Sequence, residues 1–443
     1  MAPALVKSVS GAPADRPNIV WIICEDLGVE LSCYGRREVE THHFDRLAER
    51  GTLFENCHSP APVCSPSRSA FHTGLYQTTT GTHHHRSHRG DQYRLPDGAR
   101  TIMDRLRDAG YFTCNVGPFA PGLKGAGKTD FNFEADRLFD GNHWNQRQAG
   151  QPAFIEVNFQ EAHKGPAFFA ARKQKRLVDP AKVELPPYLP DHPIIRDEFA
   201  NYLDAVQLAD YKLGVLLQAL ERDKMLDNSV LYCFGDNGRC LIRGKQWLYE
   251  TGTHVPLIVQ RRGGGEAGTR RKDLCSLLDV TASSLSAAGV ELPTPFHGQD
   301  PWGRQRRREF VVTARDRCGE QRDRIRAVRG ERFRYIRNFM PEMPYTQFNN
   351  YISTFYVTLH IMKQMDQAGL LNEAQKTFMA PHKQQEEFYD LRSDPHEIHN
   401  LAALPEYAGE LRRHRAHLED WMSSTGDRGG IQETAEEYDK YRG

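Results

Sequence analysis

A cysteine and an arginine one helical turn apart are the residues of this chain best suited to chemistry. Cys64 opens the run Cys64-Ser65-Pro66-Ser67-Arg68, in which a turn-forming proline, small hydroxyl residues and a fixed cation follow the thiol. Arg68 lies four positions after Cys64, so a helix that begins here turns both side chains toward one pocket. The free N–H groups and the dipole at such a helix start favour an anion. Taken alone, Cys64 fits equally a buried small hydrophobic residue or a thiolate nucleophile.

Oxygen-bearing side chains follow two apolar runs that are typical of parallel strands buried on both faces. Glu25 and Asp26 come after the first run, and Asp236 and Asn237 come after a later run and are flanked by glycines. Ligands bind beyond the carboxyl ends of the strands in open α/β sheets. A Glu-Asp pair alone fits a solvated turn, whereas four oxygen-bearing side chains from two strand ends suit Ca²⁺ or Mg²⁺ and not zinc. The two sites together predict metal binding.

The string from Cys64 to Arg68 resembles the maturation signal of type I sulfatases of the alkaline-phosphatase superfamily, in which the cysteine is oxidised to Cα-formylglycine. At least five further segments are similar to the same family, in the same order and over nearly the whole chain. Glu25 stands where these enzymes usually carry the first aspartate of an Asp-Asp pair. The resemblance implies one Ca²⁺ ion per chain, with the ligands Glu25, Asp26, Cys64, Asp236 and Asn237.

Two lysines and a histidine extend the resemblance. Lys128 matches the sulfate-binding lysine of a G-K-x-H signature, in which Asp130 takes the place of the usual histidine. His163 follows an apolar run and matches the general-acid histidine of the family. Lys245 begins a segment similar to G-K-x-x-x-Y-E-x-G-x-x-V-P and matches a second cation, which contacts the sulfate and the leaving oxygen. Because an unperturbed aspartate titrates at about 3.9, we expect Asp130 to position Lys128 or a substrate hydroxyl and not to donate a proton.

The resemblance also implies a mechanism for sulfate-ester hydrolysis. A formylglycine hydrate offers two hydroxyls, one that attacks sulfur and one that expels sulfate by re-forming the carbonyl. Arg68, Lys128 and Lys245, together with Ca²⁺, are implied to neutralise the sulfate oxygens. Asp236 is implied to orient or deprotonate the hydrate, and His163 to protonate the departing alcohol. The implied catalytic residues are Cys64, Arg68, Lys128, His163, Asp236 and Lys245.

Polar residues outside these motifs predict the rim of a substrate site. His85 and His88 belong to a histidine- and arginine-rich loop that follows the cysteine segment, and we expect this loop to grip an anionic or polyhydroxylated substrate; the alternatives are a metal site and a plain polar loop. Arg315 follows a strand-like run and is expected to reach the same cleft, with a surface ion pair as the alternative. The aromatic and Met-rich stretch 345–375 is expected to be helical and to pack the smaller domain, or else to supply a substrate wall.

The elements that must position these residues alternate between strands and helices. Helical patterns cover 101–109, 199–220 and 273–288, and apolar strand-like runs cover 18–24, 153–159, 230–234, 255–260 and 310–313. This alternation predicts an α/β fold, in which helices sandwich a mainly parallel or mixed sheet. The alternating apolar and basic residues of 324–337 predict a hairpin with one solvated face. A smaller C-terminal domain with an antiparallel sheet and a closing helix at 411–422 follows from this, so we divide the chain into 18–317 and 318–443.

Bulk properties narrow the class of protein. The 443 residues exceed a single small core, and a net charge of zero without long blocks of one sign argues against nucleic acid as a partner. No apolar stretch reaches the length of a membrane span. The nine scattered cysteines predict mostly buried free thiols. Residues 1–17 read as a mobile leader without the apolar region of a signal peptide, which leaves a cytoplasmic protein or an exported one with its signal trimmed.

These observations predict a sulfatase that hydrolyses a sulfate ester on a carbohydrate, after a formylglycine-generating enzyme has modified Cys64. A sulfamate, choline sulfate or an aryl sulfate stays open as the substrate. The first alternative function is hydrolysis of phosphonate or phosphate monoesters. The second is a non-catalytic binder of sulfated glycans, in which Cys64 stays a thiol.

Overall fold

The computed structural model describes residues 16–88, 90–172, 177–264, 266–304, 307–431 and 433–441, so most of the predicted leader lies outside the described residues. The strands are β1 (Asn18–Cys24), β2 (Thr52–His58), β3 (Phe112–Asn115), β4 (Pro118–Ala120), β5 (Leu123–Lys124), β6 (Ala153–Phe159), β7 (Ser229–Gly235), β8 (His254–Gln260), β9 (Thr269–Ser276), β10 (Val311–Arg315), β11 (Ile325–Arg329), β12 (Phe333–Asn338) and β13 (Glu386–Asp390). The helices are α1 (His42–Arg50), α2 (Cys64–Thr73), α3 (Ile102–Asp108), α4 (Pro166–Arg172), α5 (Pro193–Arg222), α6 (Glu250–Thr253), α7 (Leu277–Ala287), α8 (Asn350–Phe355), α9 (Val357–Gln367), α10 (Glu373–Met379), α11 (Ala408–Thr425) and α12 (Ala435–Tyr441).

A seven-stranded sheet in the order β3-β6-β1-β7-β8-β2-β9 forms the centre of the larger part of the molecule. Its strands run in one direction except for β8, which is antiparallel to β7 and β2. Alternate side chains of β1 enter two different cores, because Val20 and Ile22 face α1, α4 and α5 whereas Ile19 and Trp21 face α2, α3 and α7. The predicted α/β sandwich with a mainly parallel sheet is therefore confirmed, and β8 is its one reversed strand.

A second sheet consists of the four antiparallel strands β10-β11-β12-β13. Apolar side chains of these strands and of α11 form its core, as predicted for the smaller C-terminal unit. The sequence analysis placed the run 310–313 among the parallel strands, and this is wrong because β10 pairs antiparallel with β11. An apolar run does not reveal which sheet it joins. The second sheet thus starts at Val311, and the division into 18–317 and 318–443 stays a prediction.

The predicted helix over 273–288 also begins too early, because residues up to Ser276 belong to β9. The helix α7 starts one residue later at a capping box, in which the Ser276 hydroxyl accepts from the backbone of Leu278 and Asp279 accepts from the Ser276 N–H at 2.9 Å. Within the described residues no helix is long and apolar enough to cross a membrane. All nine cysteines are free, and all but Cys33 are buried, as predicted.

The basic face of the β11–β12 hairpin is buried, so the prediction of a solvated face is wrong. Arg326 is fully buried, and its Nε lies 2.8 Å from a carboxylate oxygen of Asp427. Arg329 and Arg334 both donate to the carboxylate of Glu250, which belongs to the chain segment of the large sheet. Carboxylates from distant segments neutralise these arginines, which removes most of the cost of burying them. The ion pairs at Glu250 consequently join the two sheets.

Replacement of Glu250 tests this junction. Glu250→Gln should lower the free energy of unfolding by about 3 kcal/mol, because Arg329 loses its counter-charge and the buried Arg334 keeps one only at Glu397. Glu331→Gln is the matched control, since Glu331 pairs with Arg392 at the exposed surface and its loss should cost less than about 1 kcal/mol. Denaturant unfolding followed by tryptophan fluorescence measures both variants. Equal destabilisation of the two would contradict a specific role for Glu250.

Candidate active site

The predicted cysteine and the predicted acidic residues meet where β1 and β7 end and α2 begins. Cys24 and Gly235 are register partners at the ends of these two strands, so the residues that follow each of them emerge side by side. Cys64 is the first residue of α2, and its Sγ lies 3.7 Å from Oδ1 of Asp26. Ligand atoms of Asp26, Cys64 and Asp236 all lie within 4.8 Å of one another. The parallel register and the helix start together create this cluster.

Two buried cations hold the carboxylates of this cluster. Arg68 donates from Nε to Oδ2 of Asp236 at 3.0 Å and from Nη1 to Oδ1 of Asn158 at 2.7 Å. Lys245 donates from Nζ to Oδ2 of Asp26 at 2.9 Å. Burial alone would lower the pKa of Arg68 and Lys245, but the neighbouring carboxylates outweigh it and raise both values above the ordinary ones. Both side chains are therefore fixed positive charges next to the cysteine.

Lys128 brings a third cation to the same place. Its Nζ lies 2.7 Å from a carboxylate oxygen of Glu25 and 3.5 Å from one of Asp130, and Asn115 donates to its carbonyl at 2.8 Å. Burial opposes the charge on Lys128, but the negative groups around it, including Cys64 if ionised, raise its pKa above the ordinary value. Asp130 is buried beside this lysine, a location that fits the expected positioning role.

His163 lies on the open side of the cluster. Its Nε2 is 4.0 Å from Oδ2 of Asp26, and its ring centre is 5.9 Å from that of Tyr351. Burial, with the charges of Lys245 and Lys128, holds the pKa of His163 well below its usual value. An anion seated between the two lysines would offset their charge and favour the protonated ring.

The donor atoms around Asp26 fit a hard divalent cation. Oε1 of Glu25 and Oδ1 of Asn237 are buried and have no hydrogen-bond partner in the part of the chain that the structure describes. Asn237 meanwhile donates from Nδ2 to Oδ1 of Asp26 at 2.9 Å. Burial raises the pKa of Glu25, a cost that a bound cation would remove. With Asp236 these residues offer the oxygen ligands that Ca²⁺ or Mg²⁺ prefers. Glu25 is not among the ligand atoms that lie within 4.8 Å of one another, so its place as a ligand stays a prediction.

A polar network beneath the cluster was missed in the sequence analysis. Asn158 receives the Arg68 side chain and donates to Glu156 at 2.8 Å, and Glu156 contacts Nε2 of His72 at 2.7 Å. Burial opposes ionisation of Glu156, but His72 and Arg68 outweigh it and lower its pKa below the usual value. The signal was present, because Glu156 and Asn158 are two polar residues on one face of the otherwise apolar strand β6.

A cleft of about 350 Å³ opens above Cys64. His163 and Lys245 line it, as do His85 and Arg86 from the histidine- and arginine-rich loop that was predicted to form the rim. Residues from the C-terminal part of the chain, among them Glu320, form the opposite wall. The residues that line this cleft are Cys64, His85, Arg86, His163, Lys245, Gln246, Gly319, Glu320, Asn349, Asn350, Tyr351, Thr354 and Phe355.

The wall formed by α8 is fastened to the large-sheet part of the molecule. Lys164 donates to the carbonyl of Phe355 at 3.0 Å and forms a buried ion pair with Glu198. Glu198 also accepts from the backbone N–H of Thr358 at 3.1 Å. Tyr351 and Phe355 belong to the stretch 345–375, for which a substrate wall was one of two expectations, and their place in the cleft favours that one.

The other two residues of the predicted rim lie elsewhere. His88 is held between Asp91 at 2.9 Å and the carbonyl of Gly81 at 3.1 Å. Arg315 forms an ion pair with Asp323 at 3.0 Å. An ion pair was the alternative expected for Arg315, but this one lies in the interior and not at the surface. Neither side chain lines the cleft above Cys64, because each is engaged by partners in its own segment of the fold.

Comparisons with known proteins agree with this geometry. The family model named Sulfatase matches residues 17–153 and 136–290. The chain is 30% identical to an ulvan-active sulfatase of Formosa agariphila, over 95% of this chain and 77% of that protein. It is 25% identical to N-sulphoglucosamine sulphohydrolase of Homo sapiens, over 95% of this chain and 92% of that protein. The solved phosphonate monoester hydrolase of Agrobacterium radiobacter has the same fold, with a TM-score of 0.64 at 17% identity over 93% of this chain and 96% of that one. The chain therefore belongs to the sulfatase family within the alkaline-phosphatase superfamily, and it is an enzyme that hydrolyses sulfate esters.

Proposed function

We propose that this sulfatase removes sulfate from a glycan, with formylglycine made from Cys64 as the nucleophile and Ca²⁺ as the metal. The observation that carries the proposal is the position of Cys64, at the start of a helix and 3.7 Å from Asp26, among the buried cations Arg68 and Lys245 and the partly buried Lys128. Two relatives, an ulvan-active sulfatase and an N-sulphoglucosamine sulphohydrolase, support a sulfated saccharide as the substrate class.

The thiol of Cys64 is poorly suited to be the nucleophile itself. Burial raises its pKa to about 12, despite the nearby lysines, so little thiolate exists at neutral pH. Oxidation to formylglycine turns the Cβ of Cys64 into the aldehyde carbon, and the sulfur stands in for one hydroxyl oxygen of the hydrate. Asp26 and Asp236 lie next to this position, and Asp236 orients the hydrate or accepts the proton of its attacking hydroxyl.

The cations of the site bind and activate the sulfate group. Arg68, Lys128 and Lys245 surround the cysteine with fixed charges that need no rearrangement as charge develops on the sulfate oxygens. A Ca²⁺ ion held by Glu25, Asp26, Asp236 and Asn237 would supply further positive charge to stabilise the charge that develops on the sulfate oxygens. Spontaneous cleavage of a sulfate ester is very slow, so a dense cluster of charge is the kind of catalyst that the reaction requires.

His163 faces the cleft and protonates the departing alcohol. Its position in the lining of the cleft, together with Lys245, supports this role. Asp130, 3.5 Å from Lys128, orients that lysine and does not transfer a proton.

Hydrolysis of phosphonate or phosphate monoesters is the second candidate. The fold shared with the phosphonate monoester hydrolase favours it, and the same cations would bind a phosphoryl group. Parallel assays with aryl sulfate, aryl phosphate and aryl phosphonate esters separate the two functions, and we expect the sulfate ester to be hydrolysed most efficiently.

The first prediction concerns maturation. Protein produced together with a formylglycine-generating enzyme should carry an aldehyde at position 64, because the Cys64-Ser65-Pro66-Ser67-Arg68 string is intact. Peptide mass spectrometry measures the conversion, and specific activity should rise in proportion to it. The Cys64→Ala variant serves as the inactive control. Full activity of protein that carries only the thiol would refute formylglycine as the nucleophile. It would also refute the alternative of a non-catalytic binder of sulfated glycans.

The second prediction concerns the metal. Asp236→Ala should abolish turnover and the binding of one Ca²⁺ per chain, measured by elemental analysis after dialysis, because a ligand and the partner of Arg68 are both lost. Asp136→Ala is the control, since Asp136 pairs with Arg94 at the exposed surface. Chelation of the wild-type protein should lower its melting temperature as well as its activity. Zinc at full occupancy in active enzyme would contradict the oxygen-ligand argument.

The third prediction separates His163 from Asp130. His163→Ala should lower kcat by about 10²-fold or more for a sugar sulfate, and far less for an aryl sulfate whose leaving group needs little protonation. Asp130→Asn should mainly raise KM for both substrates. Steady-state kinetics across a series of aryl sulfates with graded leaving-group pKa measures the difference. Equal losses for sugar and aryl sulfates in His163→Ala would remove His163 from the general-acid role.

A further inference from the structure

A second cavity of about 280 Å³ lies directly behind one wall of the active-site cleft. His84 lines this cavity, whereas the next residue, His85, lines the cleft. In the same way, Arg317 lines the second cavity whereas Gly319 lines the cleft. The backbone N–H of His85 donates to the carbonyl of Arg317 at 2.9 Å. Neighbouring residues of the segments 84–85 and 317–319 thus face two different cavities, so the second cavity adjoins the cleft.

Arg322 offers an unmatched cation to this cavity. Its guanidinium carbon lies 3.8 Å from the ring centre of Tyr438, so the ring covers one face and leaves the N–H edges open. The side chain is exposed and has no ion pair with any residue in the described part of the chain. A planar N–H edge of this kind binds a carboxylate or sulfate through two hydrogen bonds.

Arg324 adds a second cation with little compensation. Its guanidinium carbon lies 4.3 Å from the ring centre of Phe339, and its Nε is buried without a hydrogen-bond partner among the described residues. The nearest carboxylate, that of Asp427, is 3.7 Å away and already accepts from Nε of Arg326 at 2.8 Å. An anion in the cavity would meet a guanidinium whose charge is only partly neutralised.

The carboxylates that line the cavity do not cancel this charge. Asp323 is bound on its inner side by Arg315 at 3.0 Å and Lys383 at 2.9 Å. Glu433 is held by Arg317 through both carboxylate oxygens. The cavity therefore keeps a surplus of positive charge, beside the apolar side chains of Phe339, Met340 and Ile431.

We propose that Arg322, Arg324 and Phe339 form a second anion-binding subsite, which holds a sulfate or carboxylate group on a saccharide unit adjacent to the one that is desulfated. The inference rests on the proposed glycan substrate, and it narrows that substrate to a polyanionic oligosaccharide. Arg322 and Arg324 are specificity residues here and take no part in the chemistry at Cys64.

Kinetics with substrates of different length test the subsite. Arg322→Ala should raise KM for sulfated tetrasaccharides prepared from ulvan or heparin about tenfold at low ionic strength, because a charge-assisted contact is lost. It should leave kcat, and all kinetics with aryl sulfate and with sulfated monosaccharides, unchanged. Arg322→Lys should recover part of the loss, since charge is restored without the planar edge. Arg392→Ala, which removes an exposed arginine paired with Glu331, is the matched control.

Direct binding keeps the test independent of turnover. In the Cys64→Ala background, calorimetry with the same two tetrasaccharides should show weaker binding for Arg322→Ala and Arg324→Ala than for the background itself. The difference should shrink as salt is added. If both tetrasaccharides bind all of these proteins equally, or if neither binds, the subsite is wrong. Failure of the wild-type enzyme to desulfate any saccharide would instead count against the proposed substrate, while the calorimetric comparison still decides the subsite.

Discussion

Arg68 and Asp236 meet in the interior of the protein, and each removes most of the cost of burying the other. A buried charge without a partner costs several kcal/mol, and this site contains three carboxylates close together. Glu25, Asp26 and Asp236 would repel one another strongly if Lys128, Lys245 and Arg68 did not lie between them. Each carboxylate of the site is therefore balanced by a cation, and the fold must hold these carboxylates and cations at fixed positions relative to one another.

The backbone provides that register. Parallel pairing of β1 and β7 brings the ends of the two strands to the same level, so the carboxylates that follow them lie side by side. Ser67 donates to the carbonyl of Asp236 at 2.6 Å, which fixes the first turn of α2 against the end of β7. Gly235 is required at this junction, because a Cβ there would lie 2.2 Å from the carbonyl oxygen of Leu27. The position of Cys64 follows from these three contacts and not from its own side chain.

Much of this arrangement was predictable, because its signals are local. The runs of β1 and β6 were predicted at the bounds that the structure has, and the carboxylates after β1 and β7 follow from the rule about strand ends. The sheet that β10 joins was not predictable, because an apolar run carries no information about its pairing partner. The buried arginines of β11 and β12 were taken for a solvated face, since their counter-charges come from segments such as that of Glu250 far along the chain. The stretch 345–375 was expected either to pack the smaller domain or to form a substrate wall. The sequence does not decide between the two, because the contacts that hold this stretch come from distant segments.

The cleft is lined by two parts of the chain, one with the reactive groups and one that forms the facing wall. The reactive groups lie at the strand ends of the large sheet, whereas the facing wall comes from α8, which lies between β12 and β13 of the second sheet. The wall is fastened at a few points, of which Lys164 and Glu198 are the clearest. An exchange of this insertion for another one would therefore change which molecules the cleft admits, while the side chains at the strand ends of the large sheet stay in place.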